Sequence, residues 1–132
     1  MSAEPQLGTV KVEFATNDTA VVALVGEHDL HSRPALRATL AYAAEGRNVL
    51  VDLSRCTFVD SAIISLLLAT QRTLNQHAGR CELVIAPDSG YVTRLFEISG
   101  IAGLFKVHGT RNASFASIAQ PRAAAVAVAE AA

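Results

Sequence analysis

The stretch that determines the fold of this chain is Val49-Leu-Val-Asp-Leu-Ser-Arg-Cys-Thr-Phe-Val-Asp-Ser61, which runs on into Ala62-Ile-Ile-Ser-Leu-Leu-Leu-Ala69. Its first part is mostly apolar, which is typical of a buried strand, and Cys56 to Val59 continues toward the serine. Apolar residues then recur with helical spacing: Ile63, Ile64, Leu67, Leu68 and Leu74. A buried strand that leads into a helix with an apolar face indicates an α/β protein.

Two strands and a helix are predicted before this stretch. Val10–Phe14 and Ala20–Val25 flank a cluster of turn-forming residues at 16–19, which predicts a β-hairpin. The second of these strands is apolar throughout, so we expect helices on both faces of the sheet. One such helix should follow directly, with Ser32 as its cap and Pro34 in its first turn.

Four further elements are predicted toward the C-terminus. Strands are expected over Leu83–Ala86 and Lys106–His108, and a short helix over Tyr91–Ile98 places Tyr91, Arg94 and Glu97 on its outer face. Asn112 is the expected cap of a last helix that carries Phe115 and Ile118. The whole pattern predicts an α/β fold with a mixed sheet of about five strands, an N-terminal hairpin followed by mainly parallel strands, packed with about four helices.

Length and composition limit the possible functions. The 132 residues, 51% of them hydrophobic, suit a single domain over residues 8–120, followed after Pro121 by an alanine-rich, flexible tail at 121–132. A net charge of -1 argues against a nucleic-acid partner. No signal segment is recognised, and the apolar run 62–69 is far shorter than the ~20 residues that span a membrane. Cys56 and Cys81 are expected as buried thiols in the cytoplasm.

Ser61 is the most prominent candidate for chemistry, because it stands where a buried strand gives way to a helix. Unpaired amides and the helix dipole at such a position receive an anion well, so a phosphate on Ser61 would be tolerated. The alternative is purely structural, since Asp60 or Ser61 could simply cap the helix. Taken alone, the position of Ser61 favours the capping interpretation, because serines commonly cap helices.

Two motifs resemble those of the STAS-domain family, in particular the bacterial anti-sigma factor antagonists. Gly26-Glu27-His28-Asp29-Leu30 is similar to an element after the second strand of that family, and Val51–Ser54 with Phe58–Ser61 is similar to its phosphorylation-site element. A third segment, 95–105, resembles the helix and strand approach near the family's C-terminus. The resemblance covers about residues 10–119.

The resemblance implies a function as a binding protein. In that family the unphosphorylated antagonist binds an anti-sigma factor that is also a serine kinase, and phosphorylation releases it. The resemblance therefore implies phosphorylation at Ser61, a surface for the partner formed by Asp29, Asp60, Ser61, Ala62 and Ile63, and a role for a phosphatase or a weak homodimer as further options. Where the family usually has glycine this chain has Ile63, which should limit how closely a partner approaches.

Other functions are less well supported by the residues. His28 and His31 with neighbouring carboxylates lack a third or fourth ligand at zinc-like spacing, so we expect no metal and no cofactor. Ser61 lacks the surroundings of a hydrolase nucleophile, so we expect no enzyme. Ser89-Gly90 could bind an anion, although a helix cap is the simpler interpretation. The remaining alternatives are a STAS scaffold in a larger signalling assembly and a small-ligand or nucleotide-binding sensor, the latter without a glycine-rich phosphate loop.

Overall fold

The computed structural model describes residues 8–88 and 90–120. Its strands are β1 (Thr9–Phe14), β2 (Thr19–His28), β3 (Asn48–Val59), β4 (Cys81–Val84) and β5 (Val107–His108). Its α-helices are α1 (Arg33–Ala44), α2 (Ser61–Gln76), α3 (Gly90–Ile98) and α4 (Arg111–Ala119), and a 3-10 helix covers Ile101–Leu104. The described part of the chain contains no helix long and apolar enough to cross a membrane.

The five strands form one sheet whose order follows the sequence, β1-β2-β3-β4-β5. β1 pairs with β2 antiparallel, and the other three pairings are parallel. The predicted fold class, a mixed sheet that opens with a hairpin and is packed with four helices, is therefore confirmed. The turn-forming residues 16–19 act as expected, because Asp18 accepts hydrogen bonds from the hydroxyls of Thr16 and Thr19.

The two faces of the sheet are covered unequally because side chains alternate along each strand. One face carries the main core, formed with α1, α2 and α3 around residues such as Leu24, Val51 and Leu83. On the other face Val21, Leu50 and Val84 pack against the side chains of Phe115 and Ile118 in α4. The expectation of helices on both faces holds, but one short helix serves the second face.

Several local predictions are wrong in detail. The segments 49–53 and 56–59 belong to the single strand β3, whose pairing with β2 is irregular near Gly26, a residue with φ of 84°. Ser32 precedes α1 but its side chain makes no capping hydrogen bond. Thr110, rather than Asn112, caps α4 by accepting a hydrogen bond from the N–H of Ala113 at 3.2 Å. Extended backbone at Thr110 allows this, whereas Asn112 is already helical. The tail 121–132 lies outside the described residues.

Candidate functional site

The candidate site lies at one end of the sheet, where the C-terminal ends of the parallel strands β2 and β3 lie side by side. His28 and Val59 are paired across these parallel strands. Asp29 and Asp60 directly follow the two strands, so both residues lie at the end of the sheet where β2 and β3 stop. Ser61 begins α2 immediately after Asp60. The structure therefore places Asp29, Asp60 and Ser61 at the same end of the sheet.

Asp60 is the cap of α2. Its backbone is extended, with φ of -105° and ψ of -179°, and its Oδ1 accepts a hydrogen bond from the N–H of Ile63 at 3.1 Å. Its carbonyl oxygen accepts the first helical bond, from the N–H of Ile64. Of the two structural alternatives, capping thus belongs to Asp60 and not to Ser61.

Ser61 is left as an exposed residue in the first position of α2. Its hydroxyl has no hydrogen-bond partner among the described residues. The backbone N–H groups of Ser61 and Ala62 are among those for which a helix provides no acceptor, and the first turn contains no acidic side chain. The positive end of the helix dipole is thus directed at the Ser61 hydroxyl, where it would stabilise an added negative charge.

Asp29 supplies a fixed negative charge at this edge. Its Oδ1 accepts a hydrogen bond from the backbone N–H of His31 at 2.9 Å, and that bond lowers the pKa of the carboxyl below its usual value. The His31 ring lies 3.3 Å from the same oxygen, and the carbonyl of Asp29 accepts from the N–H of Ser32. Asp29 therefore shapes the loop before α1 and remains ionised near neutral pH.

The remaining two predicted surface residues differ in exposure. Ala62 is half-buried, whereas the side chain of Ile63 is fully buried in the main core. The isoleucine that replaces the family's glycine therefore points inward, where a docked protein cannot contact it. Only its backbone lies near the start of α2, and its N–H already bonds Asp60.

Sequence reasoning missed the apolar surroundings of the site. The rings of Phe58 and Tyr91 stack with their centroids 5.6 Å apart and their planes 19° apart. Half of Tyr91 is exposed, and Leu30, next to Asp29, is 65% exposed. Phe58 belongs to the motif that ends at Ser61, and the sequence predicts Tyr91 on the outer face of its helix. The contact between them could not be predicted, because the two residues are 33 positions apart and a local sequence pattern does not show such contacts.

The histidines near the site do not form a metal site among the described residues, where no group of three or more suitable ligands occurs. His28 lies within β2, which extends three residues beyond the predicted end at Val25, and it is fully buried. Its Nε2 donates a hydrogen bond to the carbonyl oxygen of Val25 at 3.1 Å, since a carbonyl oxygen can only accept. Ser89 of the second anion-binding candidate lies outside the described residues.

A second polar cluster, which the sequence did not predict, lies under α4 on the opposite face of the sheet. Arg111 donates from Nε to Asp52 at 2.6 Å and from Nη1 to Glu13 at 3.0 Å. Glu82, almost fully buried, accepts hydrogen bonds from the hydroxyls of Ser114 and Ser117 and contacts His108 Nε2 at 2.8 Å. The sequence did contain a signal for this cluster, because Asp52 and Glu82 are charged residues inside apolar segments of the strands β3 and β4.

Asp52 and Arg111 of this cluster each favour the charged form of the other. Burial opposes ionisation of Asp52, but hydrogen bonds from Ser54 and Arg111 outweigh it and lower the pKa of the carboxyl. The pKa of Arg111 is raised, chiefly by the hydrogen bond to Asp52.

The two cysteines are held in the uncharged thiol form, because burial raises the pKa of Cys56 to about 11 and that of Cys81 to about 12. Both are free and buried, as predicted.

Comparison with known proteins places these features in a family. The family model described as "Mlab, STAS domain" matches residues 13–107, which include both motifs at the candidate site. The chain belongs to the STAS-domain family. The family suggested by the sequence motifs is thereby confirmed.

Several relatives of this STAS domain have names that agree with the resemblance. The chain is 31% identical over 102 residues to an anti-sigma-B factor antagonist of Staphylococcus aureus, covering 75% of this chain and 93% of that protein. A crystal structure of an anti-sigma factor antagonist from Mycobacterium paratuberculosis superposes with a TM-score of 0.76 at 22% identity, covering 90% of this chain and all of that one. At this identity the likeness shows the fold.

Two further solved structures carry the name SpoIIAA, one unphosphorylated and one phosphorylated. SpoIIAA, an anti-sigma factor antagonist, matches in its unphosphorylated form with 26% identity and a TM-score of 0.68, covering 81% of this chain and 93% of that one. The Bacillus SpoIIAA in its phosphorylated form matches with 25% identity and a TM-score of 0.63, covering 83% of this chain and 99% of that one.

Proposed function

We propose that this STAS domain is an anti-sigma factor antagonist whose binding is controlled by phosphorylation of Ser61. In this proposal it is a cytoplasmic, non-catalytic protein that binds an anti-sigma factor with serine kinase activity and frees a sigma factor. The observation that carries the proposal is the exposed Ser61 hydroxyl in the first turn of α2, beside a cap that Asp60 supplies. The names of the relatives, and the phosphorylated form known for SpoIIAA, support it.

The surface for the partner would combine charge with apolar area. Asp29, Asp60, Ser61 and Ala62 lie at the edge where β2 and β3 end, and Ile63 could contribute only through its backbone. The exposed Leu30 and the Phe58–Tyr91 stack add apolar area near the same edge. Aromatic side chains beside polar groups are typical of the residues that dominate binding energy in protein interfaces.

Phosphorylation would disrupt binding through electrostatics rather than through unfolding. A phosphate adds a charge of about -1.5 to -2 at neutral pH. The dipole of α2 would stabilise that charge, so the fold would persist. The phosphate beside Asp29 and Asp60 would make this end of the sheet strongly negative, and a partner surface that docks onto the unmodified chain would lose affinity. A phosphatase would restore binding by removing the phosphate.

The decisive experiment compares three forms of the full chain as bait in extracts of the native cell: wild type, Ser61→Asp and Ser65→Asp. Ser65 is also exposed on α2, one turn further on, so its variant adds the same charge away from the edge. Wild type and Ser65→Asp should capture an anti-sigma factor, and Ser61→Asp should capture at least tenfold less. Equal capture by all three would contradict the proposal.

The captured protein is then purified and incubated with ATP and the wild-type chain. Mass spectrometry should find phosphate at Ser61, and the Ser61→Ala variant should bind normally but remain unmodified. Dominant modification at Ser54, Ser65 or Ser89 with Ser61 bare would overturn the assignment. A stable complex insensitive to every change at Ser61 would instead favour the scaffold alternative.

A further inference from the structure

β1 leaves one side of the sheet unpaired in the described part of the chain. It is the first strand in the sheet order, and its only strand neighbour is β2. The backbone groups on its outer side therefore have no strand to bond. Such an edge is a template for another strand, and proteins usually blunt it or pair it.

The hairpin register shows which residues direct their backbone outward. The N–H of Ala15 donates to the carbonyl of Thr19 at 2.9 Å, which identifies these opposed residues as a hydrogen-bonded pair. Because such pairs alternate along an antiparallel ladder, Glu13 and Lys11 also bond β2. The alternate residues Val10, Val12 and Phe14 therefore direct their backbone N–H and C=O groups toward the free side of β1.

The side chains of β1 are divided by face. Val12 and Phe14 are 38% and 44% exposed on the face that carries the main core, and the Phe14 ring is held edge-on against Tyr42 with centroids 5.5 Å apart. Lys11 and Glu13 lie on the other face. The side chain of Glu13 is 66% exposed although it bonds Arg111, and Lys11 is exposed with no ion-pair partner among the described residues.

We propose that β1 pairs antiparallel with β1 of a second copy of this chain, about a two-fold axis at Val12. In that register Val12 faces its own copy, and Val10 faces Phe14 of the second copy. Lys11 then faces Glu13 of the second copy, and symmetry repeats that pair. The sequence of the edge is thus complementary to itself in both apolar and charged side chains, as a two-fold interface requires.

The register also suits the backbone. Val10, Val12 and Phe14 fall in hydrogen-bonded pairs, so the outward N–H and C=O groups are satisfied. Lys11 and Glu13 of the second copy fall in a non-hydrogen-bonded pair, in which the Cα atoms are only about 4.5 Å apart and the side chains interact most closely. Aromatic and β-branched residues facing each other, as Phe14 and Val10 would, are favourable cross-strand pairs.

The dimer should be weak, and it should leave Ser61 and the surrounding end of the sheet accessible to a partner. A contact along one six-residue strand is small beside the roughly 1,200–2,000 Å² of stable interfaces, so association depends on protein concentration. β1 is separated from β3 by β2, and Ser61 follows β3. The inference is therefore independent of the proposed function, and the test below uses no anti-sigma factor.

The test is sedimentation velocity of the full chain over a wide concentration range, with charge-reversal variants. Lys11→Glu gives an edge with two glutamates, and Glu13→Lys gives an edge with two lysines. Each alone should weaken self-association by roughly tenfold or more. An equimolar mixture of the two should restore the dimer, because each Glu then faces a Lys of the other variant. Lys106→Glu and Glu97→Lys, which change exposed residues elsewhere, are the matched controls and should dimerise like wild type.

A cross-linking experiment provides a second measurement. Under mild oxidation Val12→Cys should give a disulfide-linked dimer, because Cα atoms of a hydrogen-bonded pair lie within bonding range. Val107→Cys, an equally exposed valine on the opposite edge strand, should not. A wild-type chain that stays monomeric at every concentration would overturn the proposal. So would single variants that dimerise like wild type, or a mixture that gains nothing.

Discussion

Asp60 and Ser61 are adjacent in the chain but differ in role. The carboxylate of Asp60 bonds the N–H of Ile63, while the hydroxyl of Ser61 is left to solvent. Sequence alone could not assign these roles, because aspartate and serine are equally good caps and helix boundaries are uncertain by a residue or more. The burial of Ile63 agrees with its place in the apolar pattern of the helix, and it rules out the side-chain contact with a partner that the family resemblance implied.

This difference in role predicts unequal effects of two alanine variants on the free energy of unfolding. Asp60→Ala removes the cap and should lower the free energy of unfolding by about 1 kcal/mol. Ser61→Ala removes no capping bond and should change it by less than about 0.5 kcal/mol. Urea unfolding followed by circular dichroism measures both. An equal or larger loss for Ser61→Ala would show that the serine hydroxyl has a structural role.

At the scale of secondary-structure elements, α4 differs from the other helices in being attached largely through polar contacts. Its apolar contribution is limited to Phe115 and Ile118, whereas Arg111, Ser114 and Ser117 bond carboxylates of the sheet. The sequence predicted the helix itself from its apolar residues. It could not predict the polar attachment, because the bonded residues are far apart in the chain. Asp52 lies 59 residues before Arg111, and Glu82 lies 32 residues before Ser114.

The attachment makes stability depend on pH. The pKa of Asp52 is lowered in the folded chain, so its contribution is present above the ordinary value of 3.8 and is lost as the pH falls through the folded value. Arg111→Met should cost about 1–2 kcal/mol at pH 7, a modest figure because the arginine side chain is 40% exposed.

Urea unfolding of wild type and Arg111→Met at pH 7 and pH 3 checks this expectation. The difference between them should be smaller at pH 3, because Asp52 binds a proton more often there than at pH 7. Arg72→Met, a change of the same kind on the exposed side of α2, is the control and should behave like wild type at both values. A difference that persists unchanged at pH 3 would show that Arg111 acts through packing alone.

At the scale of the whole molecule, the order of elements was readable from the sequence because each segment has a clear period. Apolar strands and helices with apolar faces alternate along the chain, and short connections leave few ways to arrange them. The unequal size of the hydrophobic clusters on the two faces of the sheet could not be predicted from the sequence, because it depends on which face each helix packs against.

The predicted C-terminal boundary of the domain, at residue 120, can be tested by truncation. Arg80 donates to the carbonyl oxygens of Ser117 and Gln120, so the cut is made after Gln120. We expect removal of 121–132 to leave the melting temperature within about 2 °C of wild type and partner capture unchanged, because the last bulky core residues precede the cut. A fall of about 5 °C or more, measured calorimetrically, would show that the tail contributes to packing.

The strand order of the sheet also has a consequence for synthesis on the ribosome. Because every strand pairs with the one made just before it, each new strand and helix can add to a growing edge as the nascent chain emerges. Only α4 must reach back across the whole domain, since Arg111 bonds Glu13 of the first strand. Its docking should be the last step of folding, and substitutions in its contacts should accelerate unfolding while leaving the folding rate nearly unchanged.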